Sequence, residues 1–88
     1  MQINNAIVCY KKAIKYKPNF SYAYFNLGNA YFKSGNIKYA KKAYDKALKY
    51  NKNLPELYYN IAFTYKKLND VKNAQKYLDM YNDMMKNM

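Results

Sequence analysis

Two aspartates, Asp79 and Asp83, stand four residues apart near the end of the chain. On a helix that spacing puts both carboxylates on one face, where a pair can divide acid and base roles. Cys9 is the single thiol, with Lys11 and Lys12 close by in sequence but no evident base to activate it. There is no histidine for general-base or metal work. The ordinary reading of Asp79 and Asp83 is two solvated charges. That of Cys9 is a small buried thiol. No enzyme activity, metal or cofactor is expected.

Amides and aromatics are the richer vocabulary. Thirteen tyrosines can serve as a stacking platform for bases, or simply pack helices. Sixteen lysines against five acids leave a net charge of +11, and no arginine is present. Residues 1–52 hold eleven lysines against Asp45, a net of +10, and residues 53–88 hold five against four acids, a net of +1. Such a face can meet nucleic acid, acidic protein or anionic lipid. Lysine lacks the fork with which arginine reads guanine or grips phosphate bidentately. A solvated face in a lysine-biased, AT-rich genome is the competing explanation.

The elements that position these residues are helices. Apolar residues recur at spacings of three and four, as in Ile37, Ala40, Ala43, Tyr44, Ala47 and Leu48, and no stretch alternates as a strand would. Helices are expected at 3–17, 21–34, 37–50, 55–68 and 71–86. The chain repeats with a period of 34 residues. Tyr24, Asn26, Tyr31, Lys33, Lys38, Ala40 and Lys42 return as Tyr58, Asn60, Tyr65, Lys67, Lys72, Ala74 and Lys76, and "AIKY" at 13–16 returns as "ALKY" at 47–50.

That period explains the only two glycines. Gly28 lies mid-helix, where glycine costs about 0.5–1 kcal/mol relative to alanine, and its copy is Ala62. A position held by glycine and then alanine marks helices in contact. Gly35 lies where the pattern breaks, and its copy is Asn69, the other residue type that readily ends a helix in the left-handed conformation. Asn36 and Asp70 follow as N-caps.

With these positions in place, the chain resembles the tetratricopeptide repeat, a helix–turn–helix unit with the pattern W-x2-L-G-x2-Y, A-x3-F, P. The middle unit reads Tyr24-x2-Leu27-Gly28-x2-Tyr31 and Ala40-x3-Tyr44, with Lys52 where proline is usual. The last reads Tyr58-x2-Ile61-Ala62-x2-Tyr65 and Ala74-x3-Leu78, and the first half-unit reads Ala6-x3-Tyr10 and then Pro18. The resemblance implies an all-α, right-handed α-solenoid of about five helices in one domain. Residues 1–18 form a half repeat, the second helix only. Residues 19–52 form a full repeat, and 53–88 a full repeat with a terminal helix. Tyr81 replaces the small Ala47, so no ordinary repeat is expected to follow.

In such solenoids the first helix of each pair lines the concave surface. Tyr22, Phe25, Asn26, Asn29 and Lys33, with Tyr59, Asn60, Phe63 and Lys67, then form a groove with aromatic sides, repeated amides and lysines at one end. An asparagine side chain donates and accepts, matching a peptide unit, and the resemblance implies this role for Asn26 and Asn60. A lysine–arginine clamp for a terminal carboxylate is not supported, because Phe25 or Tyr59, Glu56 and Asn60 stand where basic residues are needed.

The expected function is a non-catalytic protein–protein interaction module that binds a peptide segment, with an acidic partner favoured. The alternative is electrostatic nucleic-acid binding through convex lysines. Self-association is expected from the apolar residues of the opening helix, Ile3, Ile7, Val8, Tyr10 and Ile14, and of the closing stripe, Tyr77, Tyr81, Met84, Met85 and Met88. No membrane span or signal peptide is read, and an intracellular, cytoplasmic location is expected.

Overall fold

The turns inside the two full repeats close in the same way. A computed structural model describes residues 3–87 as α1 (Ile3–Tyr16), α2 (Ser21–Lys33), α3 (Ile37–Tyr50), α4 (Pro55–Lys67) and α5 (Val71–Lys86). After α2, Gly35 takes φ +85°, the Asn36 N–H donates to Tyr31 O at 2.9 Å and the Gly35 N–H to Phe32 O at 3.1 Å. After α4, Asn69 takes φ +61°, the Asp70 N–H donates to Tyr65 O at 2.9 Å and the Asn69 N–H to Lys66 O at 3.1 Å. This is one helix-ending motif used twice, with the left-handed residue supplied once by glycine and once by asparagine.

The starts are less alike. Asp70 caps α5, accepting from the Asn73 N–H at 3.2 Å and from Asn73 Nδ2 at 2.7 Å. Those two donors hold its carboxyl below the ordinary carboxylate range. Asn36 occupies the equivalent position before α3 but makes no capping bond; its Nδ2 donates to Ser34 Oγ at 3.0 Å instead. Pro55 opens α4, where its missing N–H costs nothing. Ser21 opens α2 and donates from its buried hydroxyl to Ala47 O at 2.8 Å, tying the start of α2 to the end of α3.

Helices α2 and α3 form one antiparallel hairpin, and α4 and α5 another. Helix α1 lies on α2, and α3 lies on α4. Helices α2 and α4 also approach each other, whereas α1 does not reach α3 and α3 does not reach α5. The stack is therefore closed on the α2–α4 side and splayed on the other, which makes α2 and α4 the concave wall.

The core gathers where three helices meet. Phe25, Ala40, Tyr44, Ala47, Leu57 and Ile61 form it, and burying each large member is worth roughly 1.5–3 kcal/mol. Gly28 is the contact point. A Cβ there would sit 2.5 Å from Tyr44 Cε1 and 2.6 Å from Cδ1, so the ring occupies the space a side chain would need. Tyr44 and Tyr58 are buried, while Tyr24, Tyr31 and Tyr65 are half-buried against the core.

Cys9 departs from its expected burial and is exposed. Its copy, Ala43, is buried because α3 has neighbours on two sides. Among the described residues helix α1 packs against α2 alone, so it buries one narrow stripe around Ala6 and leaves Cys9 and Val8 outside it. Of the expected apolar end stripes, Met88 and the Ile3 side chain lie outside what is described. No helix among the described residues is long and apolar enough to cross a membrane.

Candidate functional site

The concave wall carries a polar cluster that joins the two repeats. Asn29 Oδ1 accepts from Asn60 Nδ2 at 2.9 Å and also from the Tyr44 hydroxyl. One carboxamide oxygen thus collects donors from α3 and α4 while its own residue sits on α2. Burial pushes the Tyr44 phenol up to about 12, with the nearby Asn60 amide pulling the other way. A buried tyrosine needs a partner for its hydroxyl, and the inter-repeat amides provide it.

Around this cluster lies a cavity of about 310 Å³, lined by Asn29, Phe32, Lys33, Tyr44, Asn60 and Phe63. Four residues expected in the groove, Asn29, Lys33, Asn60 and Phe63, meet there. Asn60 spends one N–H on Asn29. The same amide also lies beside the Tyr44 hydroxyl. Phe63 is 42% exposed and stands edge-on to Tyr59, with ring centroids 5.0 Å apart. Tyr59 also meets Tyr81 at 5.1 Å, which places it toward α5 rather than in the cavity wall.

Other expected groove residues lie elsewhere. Phe25 is a core residue, 5% exposed, with its ring 6.2 Å from that of Tyr44. Its place in the groove is corrected: α4 stacks over that position, whereas its copy Tyr59 has no further helix upon it among the described residues. Tyr22 is exposed and meets the ring of Phe25 edge-on at 5.9 Å. Asn26 and Lys67 do not line the cavity; Asn26 is half-buried and Lys67 exposed. Two lining residues, Phe32 and Tyr44, were not expected. The signal for Tyr44 was its hydroxyl, since a core tyrosine must place that group beside a partner.

The acidic pair does not assemble. Asp79 accepts from Gln75 Nε2 at 2.8 Å, and both Asp79 and Asp83 are exposed. No group of three histidine, cysteine or acidic residues able to hold a metal occurs among the described residues.

A family model described as TPR repeat matches residues 2–35 and again 28–69, and one described as Tetratricopeptide repeat matches 56–83. The chain belongs to the tetratricopeptide-repeat family. Among solved structures it is similar to the crystal structure of MamA, with a TM-score of 0.92 at 24% identity over 97% of this chain and 50% of that one. It is also similar to MamA 41-end from Desulfovibrio magneticus RS-1, with a TM-score of 0.94 at 18% identity over 99% of this chain and 49% of that one. At such identities the likeness speaks for the fold, an α-solenoid, and the chain spans about half the length of these structures. No match was found among curated proteins. As a tetratricopeptide-repeat protein the chain is a protein–protein interaction module.

Proposed function

We propose that the concave groove between α2 and α4 holds a peptide segment of a partner protein. The observation that carries this reading is the cavity in which Asn60 and Asn29 offer amide groups beside the exposed Phe63 ring, with Lys33 at its edge. An asparagine side chain, which both donates and accepts, can pair with a peptide unit, the ring supplies apolar contact, and the lysine favours an acidic residue on the partner. Tyr22, Asn26, Tyr59 and Lys67 belong to the wider concave surface along which such a segment extends.

The test begins with peptides selected for binding to the whole domain. Phe63→Ala leaves the core untouched and should weaken a selected peptide. Asn26→Ala with Asn60→Ala should weaken it by roughly two- to tenfold for each hydrogen bond lost, since a neutral bond is worth about 0.5–1.5 kcal/mol. Asn60→Ala also removes the bond to Asn29, so the melting temperature is followed alongside. Unchanged affinity in all these variants, with helicity intact, would assign the amides to structure alone.

A further inference from the structure

The splayed, convex side of the stack holds two equivalent wedges, one over α2 and one over α4, and they are filled differently. Over α4, Tyr77 of α5 inserts its ring between Tyr58 and Tyr65, with centroids 6.2 and 5.6 Å away. The residue 34 positions earlier is Ala43 of α3. Over α2, accordingly, position 43 offers no ring to Tyr24 and Tyr31. Tyr24 stacks on Tyr50 at 5.8 Å, and the rings of Tyr31 and Tyr39 lie tilted at 5.4 Å. Between Tyr24 and Tyr31 is an open cavity of about 550 Å³ that Ala43 and Leu27 also line.

The rim changes together with the slot. Lys42, Lys46 and Lys49 line the cavity over α2. The copies of Lys46 and Lys49 on α5 are Met80 and Asp83. Asp45, the one acid at this rim, is paired with Lys41 at 3.1 Å, the single ion pair among the described residues. The rim lysines therefore have no carboxylate partner there. Lys42 and Lys49 rest over the Tyr39 and Tyr50 rings at 5.8 and 5.5 Å, and Lys11 of α1 lies over Tyr31 at 5.9 Å.

We infer that this convex slot is a second binding site, which receives an aromatic side chain carried by an acidic segment of a partner protein. The protein's own second wedge shows the fit, because a tyrosine on a helix occupies the corresponding space between the corresponding pair of rings. The unpaired lysines supply the charge preference: carboxylates beside the inserted ring meet Lys42, Lys46 and Lys49 at the rim. Aromatic insertion gives the affinity, and the charges set the choice of partner and the rate of encounter. This site lies on the opposite face of α2 from the concave groove and does not depend on it.

The test uses three fluorescent probes at physiological salt: a polyglutamate peptide with one central tyrosine, the same peptide with alanine at the centre, and oligothymidylate. The tyrosine peptide should bind, and the alanine peptide should bind roughly tenfold more weakly. Ala43→Tyr copies the second wedge into the first, so the variant should stay folded while its affinity for the tyrosine peptide falls to that of the alanine peptide. Lys46→Met with Lys49→Asp, both exposed positions, should weaken binding of both acidic peptides and keeps the site testable should Ala43→Tyr lose helicity. Equal binding of the two peptides would overturn the inference, since charge alone would then suffice. So would undiminished binding by folded Ala43→Tyr, or capture of oligothymidylate in preference to either peptide, which would make the slot a base-stacking surface.

Discussion

Replacing Gly28 by alanine sets two effects of opposite sign against each other. Alanine in a helix interior is worth about 0.5–1 kcal/mol over glycine, so propensity alone favours the variant. The added Cβ, however, would sit 2.5 Å from Tyr44 Cε1, 2.6 Å from Cδ1 and 3.0 Å from Cζ, against an ordinary carbon–carbon contact of about 3.5–4.0 Å. Something must move by about 1 Å. The ring has little freedom to do so. Tyr44 is 2% exposed, packs against Phe25 and has its hydroxyl bonded to Asn29. Overpacking of this kind costs about 1–3 kcal/mol. The net expectation is a loss on the order of 1–2 kcal/mol, or a fall in melting temperature of about 4–8 °C per kcal/mol in a domain this small. Gly28→Leu should cost more. The second repeat supplies the control, because Ala62 and Leu78, the copies of Gly28 and Tyr44, line one cavity there. In a Tyr44→Leu background, Gly28→Ala should therefore be close to neutral or stabilising. Urea and thermal unfolding of the four proteins in the cycle measure the coupling. A Gly28→Ala variant as stable as the parent, or one equally costly in both backgrounds, would refute the account of this glycine as a contact with Tyr44.

Three other outcomes are expected. Gly35→Asn should be mild, because Asn69 already holds the same left-handed turn, while Gly35→Val should cost roughly 1–2 kcal/mol or more by urea unfolding, since β-branched residues avoid that conformation. The Tyr44 phenol, raised from 10.0 to about 12, should appear as a late step in an alkaline tyrosinate absorbance titration that Tyr44→Phe removes; a folded-state value above the unfolded one means its contribution to stability is intact below pH 10 and lost as pH rises toward 12. Val8 is half exposed and Met80 and Met85 lie open near the far end, so light scattering over a concentration series should show species larger than 10.5 kDa, and Ile7→Lys with Val8→Lys should reduce them; a 10.5 kDa species at high concentration would exclude self-association.

What was legible in the sequence was what local chemistry dictates within one repeat. Helix ends follow from Gly35, Asn69 and Pro55, whose backbone preferences hold wherever the chain goes, and the expected helix limits differ from the observed ones by a residue at most. The period of 34 paired Gly28 with Ala62 and Gly35 with Asn69 correctly, because each pair performs the same local task. Burial between repeats was not legible in that way. Phe25 and Tyr59 are copies, yet α4 covers the first while the second, beside Tyr81 of α5, stays 40% exposed. Likewise Asn60 bonds not to its copy Asn26 but to Asn29, since stacking offsets one helix against the next by about a turn.

The convex slot shows where repeat comparison and structure need each other. Aligning the repeats places Ala43 opposite Tyr77, but in the alignment alone that is one substitution among many, and alanine is the commoner residue of the two in a packed helix. Only the splay between α1 and α3 turns the missing ring into open volume, beside which Tyr24 stacks on Tyr50 and Tyr31 lies tilted against Tyr39. A packed core tolerates few voids, so a ring-sized gap left by one repeat and filled by its copy has to be wet or occupied by something else. The lysines at its rim bias the choice. If the gap were a mere accident of packing, Lys46 and Lys49 would be solvated charges like the rest of the lysine-rich face, and exchanging them would alter charge without altering the preference for an aromatic residue. Comparing the tyrosine and alanine peptides in the presence and absence of Ala43→Tyr separates the two cases, because a functional slot requires the advantage of the tyrosine peptide to vanish once the slot is filled while the charge-borne binding of both peptides persists.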